Sequence, residues 1–217
     1  MLTRLIVIAL AAITVSAGGC GNTSMSSRIL KDTAILESMQ ASSKPIPAAT
    51  LKNASGVAII NEIEAGVGIG GSGGEGILVR KIDGGWSQPL AVSIASGTIG
   101  VQLGAQGTDM VIVFNTDAAV MKFASEGASM IAVAKGTAGG ASGGTAAMSG
   151  PPPTTQIFSR SEGLYGGADV GGFNVQVDKK VNEETYGTST TVLQILEGRA
   201  APQPGMMRIE RMLDGGK

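Results

Sequence analysis

Ser72 stands at the centre of Gly70-Gly71-Ser72-Gly73-Gly74, the G-x-S-x-G spacing that exposes a serine hydroxyl on a sharp turn for nucleophilic attack. Such a serine needs a base to take its proton, ordinarily an imidazole, and the chain contains no histidine. The same absence removes the commonest general base and most zinc sites. Glu75, alone amid glycines, reads either as a buried functional carboxylate or as a strand-end side chain satisfied by backbone N–H groups. Gly68-Ile69-Gly70-Gly71-Ser72-Gly73 also fits G-x-G-x-x-G, which cradles a pyrophosphate only where it opens a helix. The following Gly74-Glu75-Gly76-Ile77-Leu78-Val79 reads as strand instead, and no G-K-[S/T] follows. Catalysis by Ser72 or Glu75 is the minority reading, with no catalytic residue, cofactor or metal expected.

The glycines themselves carry more information. Gly66, Gly68 and Gly70 alternate with Val67 and Ile69, and Gly100 and Gly104 alternate with Ile99, Val101 and Leu103. One face of each period-two segment is apolar; the other lacks side chains in the first and carries only Gln102 between the glycines of the second. Glycine weakens a strand, so its repeated use marks a close approach by another backbone or by a ligand. Gly68, Gly70 and Gly100 are therefore expected either to be close-packed or to line a pocket.

The N-terminus reads as a targeting segment. Arg4 precedes an apolar run from Leu5 to Val15, shorter than the roughly 20 residues of a spanning helix. Ser16-Ala17-Gly18-Gly19 then leads to Cys20, the one cysteine of the chain. This resembles the bacterial lipobox, with Ala17 in place of the usual leucine, and makes Cys20 the expected site of lipid attachment. The alternative is a plain secretory signal with a stray thiol. More than one acyl chain would give stable anchoring. Residues 1–19 are thus read as signal peptide, 20–46 as tether and amphipathic helix, 47–198 as the body, and 199–217 as a weakly ordered tail. A net charge of −1 gives no electrostatic case for nucleic acid.

The elements follow from patterning. Met25, Ile29, Leu36 and Met39 fall at helical spacing between Ser24 and Met39, with Arg28, Lys31, Asp32 and Glu37 elsewhere. Pro47 can open a short helix through Leu51. Strands are predicted at Val57–Ile60, over Gly66–Lys81 with a break near Ser72-Gly73-Gly74, and at Trp86–Ala95, with a tight turn at Asp83-Gly84-Gly85. Further strands are predicted at Ile99–Ala105, Asp109–Asn115, Ser129–Lys135, Thr155–Arg160 and Leu164–Val177. Helices are predicted after Thr116-Asp117, after Asp178 and after Thr188-Ser189, with a turn of helix at Met206–Leu213. Gly136–Pro153, rich in Gly, Ala, Ser and Thr, reads as a long exposed loop. Together these give one α+β domain: a curved, mostly antiparallel, barrel-like sheet with glycine-rich strands, flanked by N- and C-terminal helices.

Five segments in order carry a resemblance. They are Gly70-Gly71-Ser72-Gly73-Gly74-Glu75-Gly76; Gly85-Trp86-Ser87-Gln88-Pro89; Gly100-Val101-Gln102-Leu103-Gly104-Ala105-Gln106 with Asp109; Phe158-Ser159-Arg160-Ser161-Glu162-Gly163-Leu164-Tyr165-Gly166-Gly167; and Asp178, Asn182 and Tyr186-Gly187. The chain resembles the SYLF domain family over Pro47 to Leu196, departing from it at Asn61, Phe158 and Glu162, where proline, tyrosine and a basic residue are common. Members of the family are described as lipid-binding, without enzymatic activity, and the domain occurs in bacterial lipoproteins. The resemblance therefore implies a non-catalytic, membrane-anchored lipid-binding or lipid-associated lipoprotein. Actin binding is ascribed to certain fungal members and is not expected to transfer.

The leading expectation is a bacterial envelope lipoprotein at the outer membrane facing the periplasm, with membrane lipid as its partner and protein partners unknown. The alternative is a structural or protein-interaction lipoprotein without a lipid ligand. Arg28 and Lys31 are candidates to meet lipid phosphates while Met25 and Ile29 enter the interface; the alternative packs that stripe on the body. Trp86 is either an interfacial anchor or a core-edge aromatic. Arg160 either contacts phosphate or pairs with Asp169 or Asp178. Asp178 and Asn182 read as a helix cap and a surface side chain.

Overall fold

A computed structural model describes residues 23–126, 128–131, 142–147 and 154–216. The leader, Cys20 and most of 132–153 lie outside the described residues.

Three long antiparallel strands make the body: β1 (Gly56–Ile82), β3 (Leu90–Phe114) and β6 (Thr155–Val177). The short strands β2 (Gly85–Trp86), β4 (Ala128–Ile131) and β5 (Ser142–Ala147) complete a six-stranded sheet of order β2-β1-β3-β6-β4, with β5 also on β6. The pairing is antiparallel throughout, and among the described residues the path does not close. Helices α1 (Met25–Gln40) and α2 (Ala48–Lys52) precede the sheet, α3 (Asp117–Glu126) interrupts it, and α4 (Lys179–Tyr186), α5 (Val192–Leu196) and α6 (Met206–Leu213) follow. The α+β expectation holds.

Straight, β1 would run about 90 Å at the usual rise per residue. Instead its two ends meet, the Lys81 N–H donating to the Ser55 carbonyl at 2.8 Å. The strand is curled back on itself, and glycine permits the crossing. A Cβ on Gly76 would lie 2.0 Å from the Ile59 carbonyl oxygen, and one on Gly74 2.5 Å from that of Asn61. The predicted break at Ser72-Gly73-Gly74 is absent, because the ladder continues there, with Gly73 opposite Ala95. The irregularity falls between Val67 and Ile69 instead, where the pairing skips from Leu103 to Ile99. Gly68 and Gly100 lie at that bulge, and Gly70 pairs with Thr98. What surrounds these three glycines is outside the described residues, so close packing is seen at Gly74 and Gly76, which the sequence reading passed over.

Curling gives the sheet two covered faces. Val57, Ile59, Ile77, Val79, Val111 and Val113 pack under α1, α2 and α6, while Ala58, Ile60, Leu78, Ile112 and Phe114 pack with α3 and α5. Alternate residues of one strand thus feed different cores, which explains the continuous apolar runs. The separate strands predicted at Trp86–Ala95, Ile99–Ala105 and Asp109–Asn115 merge into β2 and β3, and Thr155–Arg160 joins Leu164–Val177 in β6. Part of the predicted Gly136–Pro153 loop is strand β5, with Thr145 opposite Phe158. The tail expected to be weakly ordered holds α6, which buries Met206, Ile209 and Leu213 against α1 and α2.

Candidate functional site

The charged residues of α1 come first. Ser24 caps the helix, its hydroxyl accepting from the Ser27 N–H. Met25, Ile29, Leu36 and Met39 all face the core, so none is available to enter a membrane interface. Arg28 shares that face and is only 1% exposed. Its guanidinium donates to the Asp178 carboxylate at 2.5 Å, to the Val92 carbonyl at 2.7 Å and to the Thr23 carbonyl at 3.2 Å. Burial and these three acceptors correct the expectation that Arg28 meets a lipid phosphate; it is a structural pin. Lys31 is 42% exposed and its Nζ lies 3.5 Å from Glu75. Glu75 also accepts from the Thr23 hydroxyl, which leaves it in a structural ion-pair cluster. One turn on from Arg28, Asp32 is buried, and burial pushes its carboxyl well above the usual carboxylate range. Lys31, the Ile77 backbone amide and Arg28 oppose that rise, and Glu75 adds to it.

The motif residues knit the chain ends onto the sheet. Asp178 caps α4 by accepting from the Val181 N–H while holding Arg28. Asn182 accepts from the Ala91 N–H at 2.9 Å and donates to the Ala91 carbonyl at 3.0 Å, acting as a strand neighbour would. It is buried, not the surface side chain the spacing suggested. The Tyr186 hydroxyl donates to the Pro89 carbonyl at 2.8 Å, and burial raises its phenol pKa. Gln88 accepts from the Gln203 N–H. Trp86, 5% exposed, is the core-edge aromatic. Its indole N–H donates to Asp214 at 3.1 Å, and Lys81 sits 4.5 Å above the ring while bonding the same carboxylate. That Lys81 hydrogen bond is the main cause holding the Asp214 carboxyl below its usual range.

Arg160 pairs with the Asp109 carboxylate at 3.2 Å, while Asp178 is held by Arg28 and the Asp169 side chain lies outside the described residues. Asn61, Asp109 and Arg160 lie opposite one another across β1, β3 and β6, and Asn61 donates to Asp109 at 2.7 Å. Arg160 then reaches Ser38 of α1, tying that helix to the sheet. Ser72, the serine of the nucleophile-like spacing, is buried in a strand and donates to Glu62.

One surface is left open by this bracing. A groove of about 850 Å³ lies between the C-terminal half of α1, the start of α2 and α6. Met207, 76% exposed, and Met212 flank it, with Ala41 and Ala48 opposite. Arg208 crosses it to pair with Glu37, and Arg211 stands exposed beside them. Its signal in the sequence was the methionine–arginine alternation at Met206–Met212, which the reading of a loose tail concealed.

The fold and its bracing define a single-domain α+β scaffold whose motif residues are structural. The family model Ysc84, described as Las17-binding protein actin regulator, matches residues 95–215, and the chain belongs to that family, the SYLF domain proteins. It is similar to LAS seventeen-binding protein 3 of Saccharomyces cerevisiae, 33% identical over 175 residues, which is 78% of this chain and 38% of the relative. It is also similar to human SH3 domain-containing YSC84-like protein 1, 32% identical over 182 residues, 82% of this chain and 53% of the relative. A Schizosaccharomyces pombe SH3 domain-containing protein is 31% identical over 176 residues, 78% of this chain and 41% of that protein. The chain thus spans about two fifths to one half of the curated relatives it matches. No solved structure matches it. The relatives are named for protein binding and for SH3 domains, not for lipid, which overturns the expectation of membrane lipid as the partner.

Proposed function

We propose that this chain is a protein-binding domain that acts by docking and not by catalysis. The observation that carries the reading is the flank of the α1–α2–α6 groove made by exposed Met207 and half-buried Met212, on a body whose other candidate groups are engaged internally. Methionine suits a docking surface because its flexible thioether adapts to a partner's shape. The relatives support it: one is named as binding Las17, and the family is described as actin-regulating. Ser72 and Glu75, the residues a hydrolase would need, serve instead in hydrogen bonds and ion pairs.

Anchoring is a separate proposal. The leader and Cys20 support acylation at a bacterial envelope membrane, which would present the domain at that surface. Fractionation with acyl-chain labelling tests it: Cys20→Ser releases a processed, unlabelled chain. An unlabelled wild-type chain, or a Cys20→Ser variant still membrane-bound after processing, contradicts it.

The docking function is tested by panning a displayed random-peptide library against the purified chain, with co-sedimentation on actin filaments as a parallel arm. An enriched consensus that binds in titration, or saturable co-sedimentation, supports the reading. Absence of both enrichment and co-sedimentation overturns it.

A further inference from the structure

We infer that the α1–α2–α6 groove takes a protein segment bearing a large apolar side chain and, close by in sequence, a carboxylate. The inference rests on the protein-binding reading and specifies its site and the partner's chemistry. Charge complementarity selects this occupant. Three charged side chains line the groove: Glu37, Arg208 and Arg211. Arg208 is committed, because its Nε bonds Glu37 across the opening. Arg211 lies one turn further along α6, on the same side as Arg208, and makes no ion pair among the described residues. Among the described residues the groove therefore carries one guanidinium without an ion pair, and a carboxylate is the group that a guanidinium fork binds best.

The apolar requirement comes from the floor. Met207 projects from the flank of α6 whose inner side, Met206, Ile209 and Leu213, is already buried, so its exposure is not a packing need of this chain. Met212, half-buried against the core, extends the same apolar strip. Ala41 and Ala48 are short and leave the opposite wall open. The volume, about 850 Å³, is of the size that encloses inserted side chains instead of meeting a flat face. A basic segment would face Arg211 with a like charge, which excludes it.

The test pans a displayed random-peptide library against the wild-type chain, then titrates an enriched peptide against Met207→Glu, Arg211→Glu and Leu30→Ser. Leu30 is exposed on α1 but does not line the groove, so its variant is the control. All three substitutions are at exposed positions, and unchanged melts confirm folding. The expected result is a consensus with a large apolar residue near Asp or Glu. Binding should weaken about tenfold or more in Met207→Glu and Arg211→Glu, and stay unchanged in Leu30→Ser. Enriched peptides that are basic, or that bind both groove variants as they bind wild type, overturn the groove while leaving a protein-binding domain in place. Loss of the groove variants' concentration-dependent self-association, with no peptide effect, would assign the surface to a second copy of the chain and also overturn it. No enrichment at all overturns the groove inference, and only if actin co-sedimentation fails as well does it remove the protein-binding reading beneath.

Discussion

Helices α1 and α6 lie against the same face of the sheet, and each carries arginine, yet the two arginine sets have opposite fates. On α1, Arg28 is sealed under the helix and satisfied by Asp178, Val92 and Thr23. On α6, Arg208 reaches across a groove to Glu37 and Arg211 faces solvent. The difference is one of helical phase. Arg28 falls between Met25 and Ile29 on the buried stripe of α1, whereas Arg208 and Arg211 flank the Met206, Ile209, Leu213 stripe of α6. A cation on the buried face must bring its own carboxylate, and once paired it offers nothing to a ligand. A cation beside the stripe keeps its charge available. Close to Cys20 in sequence, α1 invited a binding role, but the open surface is on α6.

Several substitutions sharpen this contrast. Arg28→Ala should have the largest effect, because it strands the buried Asp178 carboxylate; removing one partner of a buried pair costs about 3–5 kcal/mol. Denaturant melts should show that loss, and Arg28→Ala with Asp178→Asn together should lose less than the sum of the singles. Additive losses would mean that the pair is not coupled.

Gly76→Ala probes the crossing that carries α1. Its Cβ would sit 2.0 Å from the Ile59 carbonyl oxygen, and overpacking of that kind costs about 1–3 kcal/mol or more. A Cβ on Gly73 meets nothing within 4 Å, so Gly73→Ala is the matched control, with a change of about 0.5 kcal/mol at most. Equal melting temperatures for the two would remove the crossing as the reason for glycine.

Asp32 gives the buried side a pH signature. Burial raises its carboxyl above the unfolded value, so the folded state holds the proton more tightly. Stability from this group is full below the unfolded pKa and declines as pH rises through the folded one. Asp32→Asn should abolish that decline and gain on the wild type as pH rises. Asp214 runs the other way: its lowered pKa means that its contribution is present above the unfolded value and is lost as pH falls through the folded one. A wild-type curve with no slope that Asp32→Asn removes would contradict the burial argument.

Smallest of all should be the α6 changes. Arg208→Ala removes an exposed pair and should cost about 0–1 kcal/mol, and Arg211→Glu should stay within about 0.5 kcal/mol. A large loss from either would make α6 a structural element like α1.

Much of the scaffold was legible because it is written locally. Ser24 before a helical stripe, Thr116-Asp117 and Asp178 each place a helix where one stands, and the turn of helix read at Met206–Leu213 is a full α6. Strand continuity was not legible: Ser72-Gly73-Gly74 has the composition of a turn, and only pairing with Ala95 and Ser96 keeps it extended. The side-chain pairings were equally hidden, since Arg28 meets Asp178 across 150 positions and Asn182 meets Ala91 across 91. Family resemblance picked out Asp178, Asn182 and Tyr186 without a reason, and the structure supplies one in the bracing of α4 against β3. The groove was missed because Met207, Arg208 and Arg211 gain meaning only when α6 is docked against α1 and α2.

Methyl NMR of the methionine-labelled chain tests the central claim most directly. Titrating an enriched apolar–acidic peptide should shift the Met207 and Met212 methyl signals together while leaving Met25 and Met39, buried in the core under α1, where they are. Saturable binding with Met207 and Met212 unmoved, or with the shifts confined to Met25 and Met39, would contradict it.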